Sequence, residues 1–328
     1  MSSSNTRKII ALTGGTGHLG NNLITALLES GFQVRALIRN PDRSFNMDSL
    51  EWITGDLNDL SALGELVKGC TAVIHCASVI SLGEVDRETV YEVNVSGTQN
   101  LLTVCRDSSI RFIHISSSSA VLESEEGERF DENRPLRNDR SFYYAWTKAK
   151  SESLVLEEVK NKQLDALIIR PTAIIGPSDP EPSRFGRSVR DMRLGKMPFL
   201  VQGGYNLVDV RDLCRTIVNS IEMGQRGHTY LVGGEFFTLR DIAASANADK
   251  IPMIISLDLL LLLLPLIRIY DRIVGLRWPV TRESLTTIKF APRNIDCSKA
   301  IAQLGHQSRP ARESIEDLLG WFDKNNMI

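Results

Sequence analysis

The chain has 328 residues, 42% hydrophobic and 24% charged, and its 38 Lys+Arg against 40 Asp+Glu leave a net charge of −2. This composition excludes a disordered chain, a collagen-like chain and a disulfide scaffold, and the near-neutral balance argues against a dedicated nucleic-acid binder. The length fits about two domains and can bury a sizeable core without staples.

The N-terminal MSSSNTRK runs directly into the apolar KIIALT, so no secretory signal is expected. Short β-branched runs predict strands at Ile9–Leu12, Val34–Ile38, Trp52–Thr54, Ala72–His75, Phe112–Ile115 and Leu167–Ile169. Helical patterns separate them, such as the stripe Leu19, Leu23, Ala26, Leu27 that stops at Ser30-Gly31. This alternation predicts an α/β fold, a doubly wound parallel Rossmann sheet covered on both faces. After Pro171 the pattern loosens. IIGPSDPEPSRFG reads as a loop, a helix is expected near Ser188–Leu194, another follows VDVRD, and Thr238–Asp241 resembles a capping box. Residues 1–170 are therefore read as a dinucleotide-binding domain, and 171–328 as a smaller substrate-binding lobe that partly returns to the sheet.

Five cysteines (Cys70, Cys76, Cys105, Cys214 and Cys297) form no C-x-x-C pair, which disfavours disulfide and zinc frameworks. They read as small buried hydrophobes in a reducing cytoplasm, with no metal site. The segment Ile251–Ile267 is interrupted by Asp258 and Pro265, and its run Leu259–Leu264 is far below the ~20 residues of a spanning helix. Arg268, Arg272 and Arg277 follow it. Two readings stand: a helix of the core or the pocket roof, or a peripheral membrane contact through 251–277.

The first strand runs into Thr13-Gly14-Gly15-Thr16-Gly17-His18-Leu19-Gly20, with Gly14, Gly17 and Gly20 spaced as G-x-x-G-x-x-G before an amphipathic helix. Glycine permits the tight turn and clears the approach of a pyrophosphate, and helix N–H groups face the anion. The tip of the second strand, VRALIRN, has no carboxylate to hold a ribose 2′-hydroxyl and carries Arg39 instead, which favours NADP over NAD. Asp56, in GDLND, suits either an adenine amino group or a helix cap.

Tyr144-Ala-Trp-Thr-Lys148 places a phenol and an amine four residues apart on one helix face. A lysine cation there is expected to lower the phenol's pKa from ~10 so that it exchanges a proton near neutrality. Ser117 ends the predicted strand Phe112–Ile115, at the edge where open α/β sheets bind ligands. His75 and His114 are expected to be core residues, His18 to reach phosphate, and His228 and His306 to lie at the surface.

Together these pieces resemble the extended short-chain dehydrogenase/reductase family over almost the whole chain, most closely its 3β-hydroxysteroid dehydrogenase and dihydroflavonol reductase-like branches. The matching stretches are TGGTGHLG, HCAS at His75–Ser78, YEVNVSGTQNLL with Asn94 and Gly97, IHISS, YAWTK, IIRPTAIIGP and NLVDVRDL. The resemblance implies catalysis by Ser117, Tyr144 and Lys148. It implies cofactor contacts at Gly14, Thr16, Gly17, His18, Leu19, Gly20, Arg39, Asp56, Leu57, Ala77, Ser78, Asn94, Lys148 and Pro171. It also implies a hydrophobic alcohol or ketone as substrate, and a homodimer. A nucleotide-sugar epimerase or dehydratase is the alternative, with Arg184, Arg187, Arg190 and Arg193 as its charge source. Against it, Phe185, Met192, Met197, Phe199, Leu200 and the leucine run are expected to line an apolar pocket. A third reading is a regulator that binds NADP without turnover.

Overall fold

The computed structural model describes residues 7–81, 85–106, 109–124, 127–161, 163–197, 199–247, 249–262, 264–265 and 282–328. The first half alternates β1 (Ile9–Thr13), α1 (His18–Glu29), β2 (Gln33–Ile38), β3 (Leu50–Thr54), α2 (Leu60–Val67) and β4 (Ala72–His75). It continues through α3 (Arg87–Tyr91), α4 (Gly97–Cys105), β5 (Arg111–Ile115), α5 (Tyr143–Lys160) and β6 (Asp165–Pro171). The second half holds β7 (Ala173–Ile175), α6 (Arg184–Arg193), β8 (Phe199–Val201), β9 (Gly204–Asp209), α7 (Val210–Met223), β10 (Thr229–Val232), β11 (Glu235–Thr238) and α8 (Leu239–Ala246). It ends with β12 (Met253–Ile255), helical residues at 257–262, and the helices α9 (Arg282–Lys289), α10 (Ser298–Leu304) and α11 (Ala311–Lys324).

Among the described residues a seven-stranded sheet runs β10-β6-β5-β4-β1-β2-β3, every pairing parallel. Its strands are apolar on both faces because helices cover both. On one face Leu23, Ile24 and Leu27 of α1 pack with Leu213 and Ile217 of α7. On the other, Leu63 and Leu66 of α2 pack with Leu101 and Leu102 of α4 and Val155 of α5. The strand order reverses between β1 and β4, so the crevice at their carboxyl ends is where such a sheet binds a ligand.

Outside that sheet, β7 pairs with β9, β9 with β11, and β8 with β12. A separate apolar core joins them to α6, α8 and α11. The leucine run feeds this core. Leu257, Leu260 and Leu264 are buried in it, while Leu259 and Leu262 are exposed. Met192 and Leu200 are buried in it too, which corrects their expected place in a pocket wall. Leu263 and 266–277 lie outside the described residues, and with them Arg268, Arg272 and Arg277. Among the described residues no helix is long and apolar enough to cross a membrane.

His306 is a second correction. It is only 3% exposed, and its Nε2 donates to the Gly233 carbonyl at 2.8 Å while Nδ1 sits 2.9 Å from Thr216 Oγ1. Gly305 ends α10 in the left-handed region (φ 66°), and that turn swings the next side chain inward. His75 and His114 are buried on β4 and β5 as expected.

Candidate active site

The glycine loop is built by close approach. Gly14 has φ 76°, and a Cβ there would lie 2.7 Å from the Ala77 nitrogen. A Cβ on Gly20 would collide with the Gly14 carbonyl, the same oxygen that accepts Gly17 N–H at 3.1 Å. Gly17 has no such reason to be glycine. A Cβ on it meets only Gly14 O, at 3.5 Å. It caps α1 without a side-chain hydrogen bond, and the helix leaves the N–H groups of His18, Leu19 and Gly20 unpaired within itself. The loop is thus a cradle of backbone donors whose one unforced glycine faces the cavity, a geometry that fits a dinucleotide's pyrophosphate.

The other expected cofactor residues surround this cradle. Ala77 N–H donates to Thr13 Oγ1 at 3.3 Å, and Thr13 Oγ1 is 2.7 Å from His75 Nδ1. Ser78 Oγ donates to Asn94 Oδ1 at 3.0 Å. Asn94 lies in a π-turn, Glu92–Ser96, between α3 and α4. Its amide donates to Val79 O and to Thr147 Oγ1 at 3.0 Å, and Thr147 in turn donates to the Tyr144 carbonyl at 2.7 Å. Asn94 therefore ties the end of β4 to the first turn of α5. Arg39 is exposed beyond the tip of β2. Asp56 is exposed and accepts Asn58 N–H at 2.8 Å. The Leu57 side chain is buried against Gly97. His18 Nε2 lies 3.1 Å from the carbonyls of Gly176 and Pro177, clasping the loop to the segment after β7. Pro171 ends β6 and lines the cavity, and Thr16 occupies the turn before α1.

Ser117, Tyr144 and Lys148 come together in the wall of one cavity of about 490 Å³. Ser117 follows β5, and its Oγ is 2.9 Å from Ser119 Oγ. Lys148 is 4% exposed, and its Nζ donates to the Ile115 carbonyl at 2.8 Å. Burial pulls this ammonium down to about 8, partly offset by Cys76 and Glu152. The phenol moves opposite to the expectation. Burial pushes Tyr144 up to about 12, and hydrogen bonding to Ser78 and Ser117 only softens the rise. Desolvation decides the direction at the phenol, while the Lys148 amine is engaged with the β5 backbone. At neutral pH Tyr144 is thus a protonated acid.

Beyond this cluster the cavity is lined by Ile80, Val121, Phe130, Phe142, Phe185, Tyr205 and Phe290. Of the four arginines on α6, Arg184 borders it. Arg187 is exposed, Arg190 pairs with Asp191 at 3.8 Å, and Arg193 donates to the Ala246 carbonyl. The charge available to a sugar diphosphate is therefore smaller than the sequence suggested. Thr13 and Thr147 were missed by sequence reasoning although both lie inside motifs it singled out. Phe290 and Tyr205 carry no local signal, being brought to the cavity from distant segments.

A parallel sheet with a glycine cradle at its switch point, and a serine, tyrosine and lysine gathered beside it, define a nucleotide-binding oxidoreductase of the short-chain type. The chain belongs to the NAD dependent epimerase/dehydratase family, whose model matches residues 10–233. It is 32% identical over 329 residues to sterol demethylase protein B of Methylococcus capsulatus, covering 97% of this chain and 99% of that one. It is 33% identical over 205 residues to the decarboxylating sterol-4-alpha-carboxylate 3-dehydrogenase of Mus musculus, covering 62% and 55%. The crystal structure of gox2253 matches with a TM-score of 0.84 at 28% identity, covering 98% and 99%. The protein is an NAD(P)-dependent oxidoreductase.

Proposed function

We propose that the protein reduces a hydrophobic ketone to a secondary alcohol, or runs the reverse oxidation, with NADP as cofactor. The observation that carries this reading is the phenol of Tyr144, kept protonated in the wall of a largely aromatic and aliphatic cavity, with the Ser117 and Ser78 hydroxyls beside it. A bound nicotinamide supplies or takes the hydride. Tyr144 gives its hydroxyl proton to the developing alkoxide, Ser117 orients the substrate oxygen, and Lys148 holds the cofactor ribose and compensates charge at the phenol. Gly14, Thr16, Gly17, His18, Leu19 and Gly20 would hold the pyrophosphate. Asp56, Leu57, Ala77, Ser78, Asn94 and Pro171 would line the rest of the cofactor's path. Exposed Arg39 with no carboxylate beside it on the strand tip supports NADP over NAD.

Two relatives named for sterol chemistry support a flat, bulky, apolar substrate. The division at 170/171 assigns the second segment to substrate binding, with β10 returned to the sheet. A peripheral membrane contact is supported by the exposed Met253, Leu259 and Leu262 and is tested by flotation with liposomes. Homodimer formation is tested by sedimentation. The central experiment is Tyr144→Phe with NADPH and a panel of sterol, isoprenoid and aryl ketones. Turnover should fall about 10²–10⁴-fold while the Kd for NADPH stays within about twofold. Undiminished turnover refutes the assignment.

A further inference from the structure

Behind Ser117 and Lys148 lies a buried ion pair to which the proposed chemistry gives no part. Glu152 is fully buried and Arg170 is 4% exposed. Arg170 Nε sits 3.1 Å from both Glu152 carboxylate oxygens, Nη2 bonds Oε1, and Nη1 donates to the Glu132 carbonyl at 2.9 Å. A pair this deep adds little net stability over apolar side chains of the same volume. Its surroundings give it a different use. Glu152 stands one turn beyond Lys148 on the same face of α5. Its Oε2 accepts a 2.8 Å bond from Ser116 Oγ. Three consecutive residues at the tip of β5 are thus each held. Lys148 holds the Ile115 carbonyl, Glu152 holds Ser116, and Ser119 meets Ser117.

We propose that Glu152 is a positioning residue: through Ser116 it fixes the Ser117 hydroxyl beside Tyr144, and its carboxylate stands one turn from Lys148 as a counter-charge to that amine. This rests on the roles given above to Ser117, Tyr144 and Lys148. The groups facing Lys148 are Tyr144 and Glu152 on α5, Cys76 and His75 at the end of β4, and His114 on β5. Burial lowers His75 to about 3 and His114 well below its usual value, so both are neutral. Burial pushes the Cys76 thiol up to about 12, so it keeps its proton, as Tyr144 does. Of these groups Glu152 is the carboxylate, and it is ion-paired with Arg170. Arg170 balances it, so removing both partners is the charge-matched control.

The test uses Glu152→Gln, the paired Glu152→Gln/Arg170→Met, and Ser116→Ala. The Kd for NADP⁺ is measured by tryptophan fluorescence across neutral and alkaline pH, alongside kcat and KM for ketone reduction. In the parent enzyme, affinity should weaken above the break near pH 8 set by Lys148. In Glu152→Gln that break should move down by about one pH unit, and in the paired variant, where a cation leaves with the carboxylate, it should move down by less. Ser116→Ala should keep the break in place and lower kcat about tenfold through a misplaced Ser117. A purely structural role would lower the melting temperature and leave the break unmoved. An unmoved break in a folded Glu152 variant, a parent enzyme with no break, or an unchanged kcat in Ser116→Ala overturns the proposal. Should Glu152→Gln not fold, the paired variant leaves no buried charge unmatched and carries the test. The binding profile needs no turnover, so failure of the ketone-reductase reading in Tyr144→Phe is distinguishable from failure here.

Discussion

Gly17→Ala should separate cofactor binding from folding. The residue has φ −81° and ψ 168°, a conformation alanine adopts freely, and its added Cβ would meet only the Gly14 carbonyl, at an ordinary 3.5 Å. Alanine is a poorer helix N-cap than glycine by about 0.5–1 kcal/mol. The stiffer unfolded chain returns about 0.4–1 kcal/mol. The two nearly cancel, so the melting temperature should move by no more than about 2 °C. The new methyl, however, stands at the cavity end of α1, where the pyrophosphate is expected to approach most closely. A loss of at least tenfold in NADPH affinity, about 1.4 kcal/mol, should follow. Gly14→Ala is the contrast. It combines a φ of 76° with a Cβ 2.7 Å from the Ala77 backbone, which together cost about 2–5 kcal/mol, so that variant should lose stability and binding together. Calorimetric melting and fluorescence titration of both variants decide the matter. A Gly17→Ala protein with parental affinity, or one as unstable as Gly14→Ala, would refute the reasoning.

Three other outcomes are expected. In the reducing direction kcat/KM should decline above about pH 8. Tyr144, held near 12, still carries its proton there, while the Lys148 cation present below its depressed pKa is being lost; a pH profile of NADPH oxidation that is flat through this range would contradict it. Arg39→Ala should raise the KM for NADPH about tenfold and leave that for NADH unchanged, as measured by initial rates. Arg309→Ala removes bonds of 2.9 and 3.1 Å to the 3%-exposed Asp212 and a 3.2 Å contact with Glu313, so urea unfolding should show a loss of about 2 kcal/mol with little change in cofactor affinity.

What was legible in the sequence was local. The glycine spacing, the strand before it and the four-residue gap from Tyr144 to Lys148 are each set within a single turn or helix, and each survives in the structure. All six strands expected in the first half form, with ends shifted by no more than two residues. Long-range packing was the part hidden from view. Nothing around Phe290 or Tyr205 marks them as cavity wall, because the contacts that place them come from elsewhere in the chain. The leucine run allowed a core helix, a pocket roof or a membrane surface, and only the packing shows that Leu260 and Leu264 fill the interior of the second lobe. His306 was expected at the surface, and one left-handed glycine turns it inward. The Tyr144 phenol was expected to be acidified by proximity to a lysine. Spacing reveals the neighbour but not the depth of burial, and depth decided the sign.

The pairing of β10 with β6 bears on how this protein can be cut. Residues up to 170 contain the whole cradle together with Ser117, Tyr144 and Lys148, and look like a self-sufficient unit. Yet Thr229–Val232 hydrogen-bonds along Ile168–Pro171, supplying the last rung of the sheet from the far half of the chain. A fragment severed there would bare a flat, greasy strand with an unclaimed row of amides and carbonyls, the sort of edge that recruits copies of itself. Split reporters or domain grafts made from this scaffold should therefore carry the returning strand along with the front half.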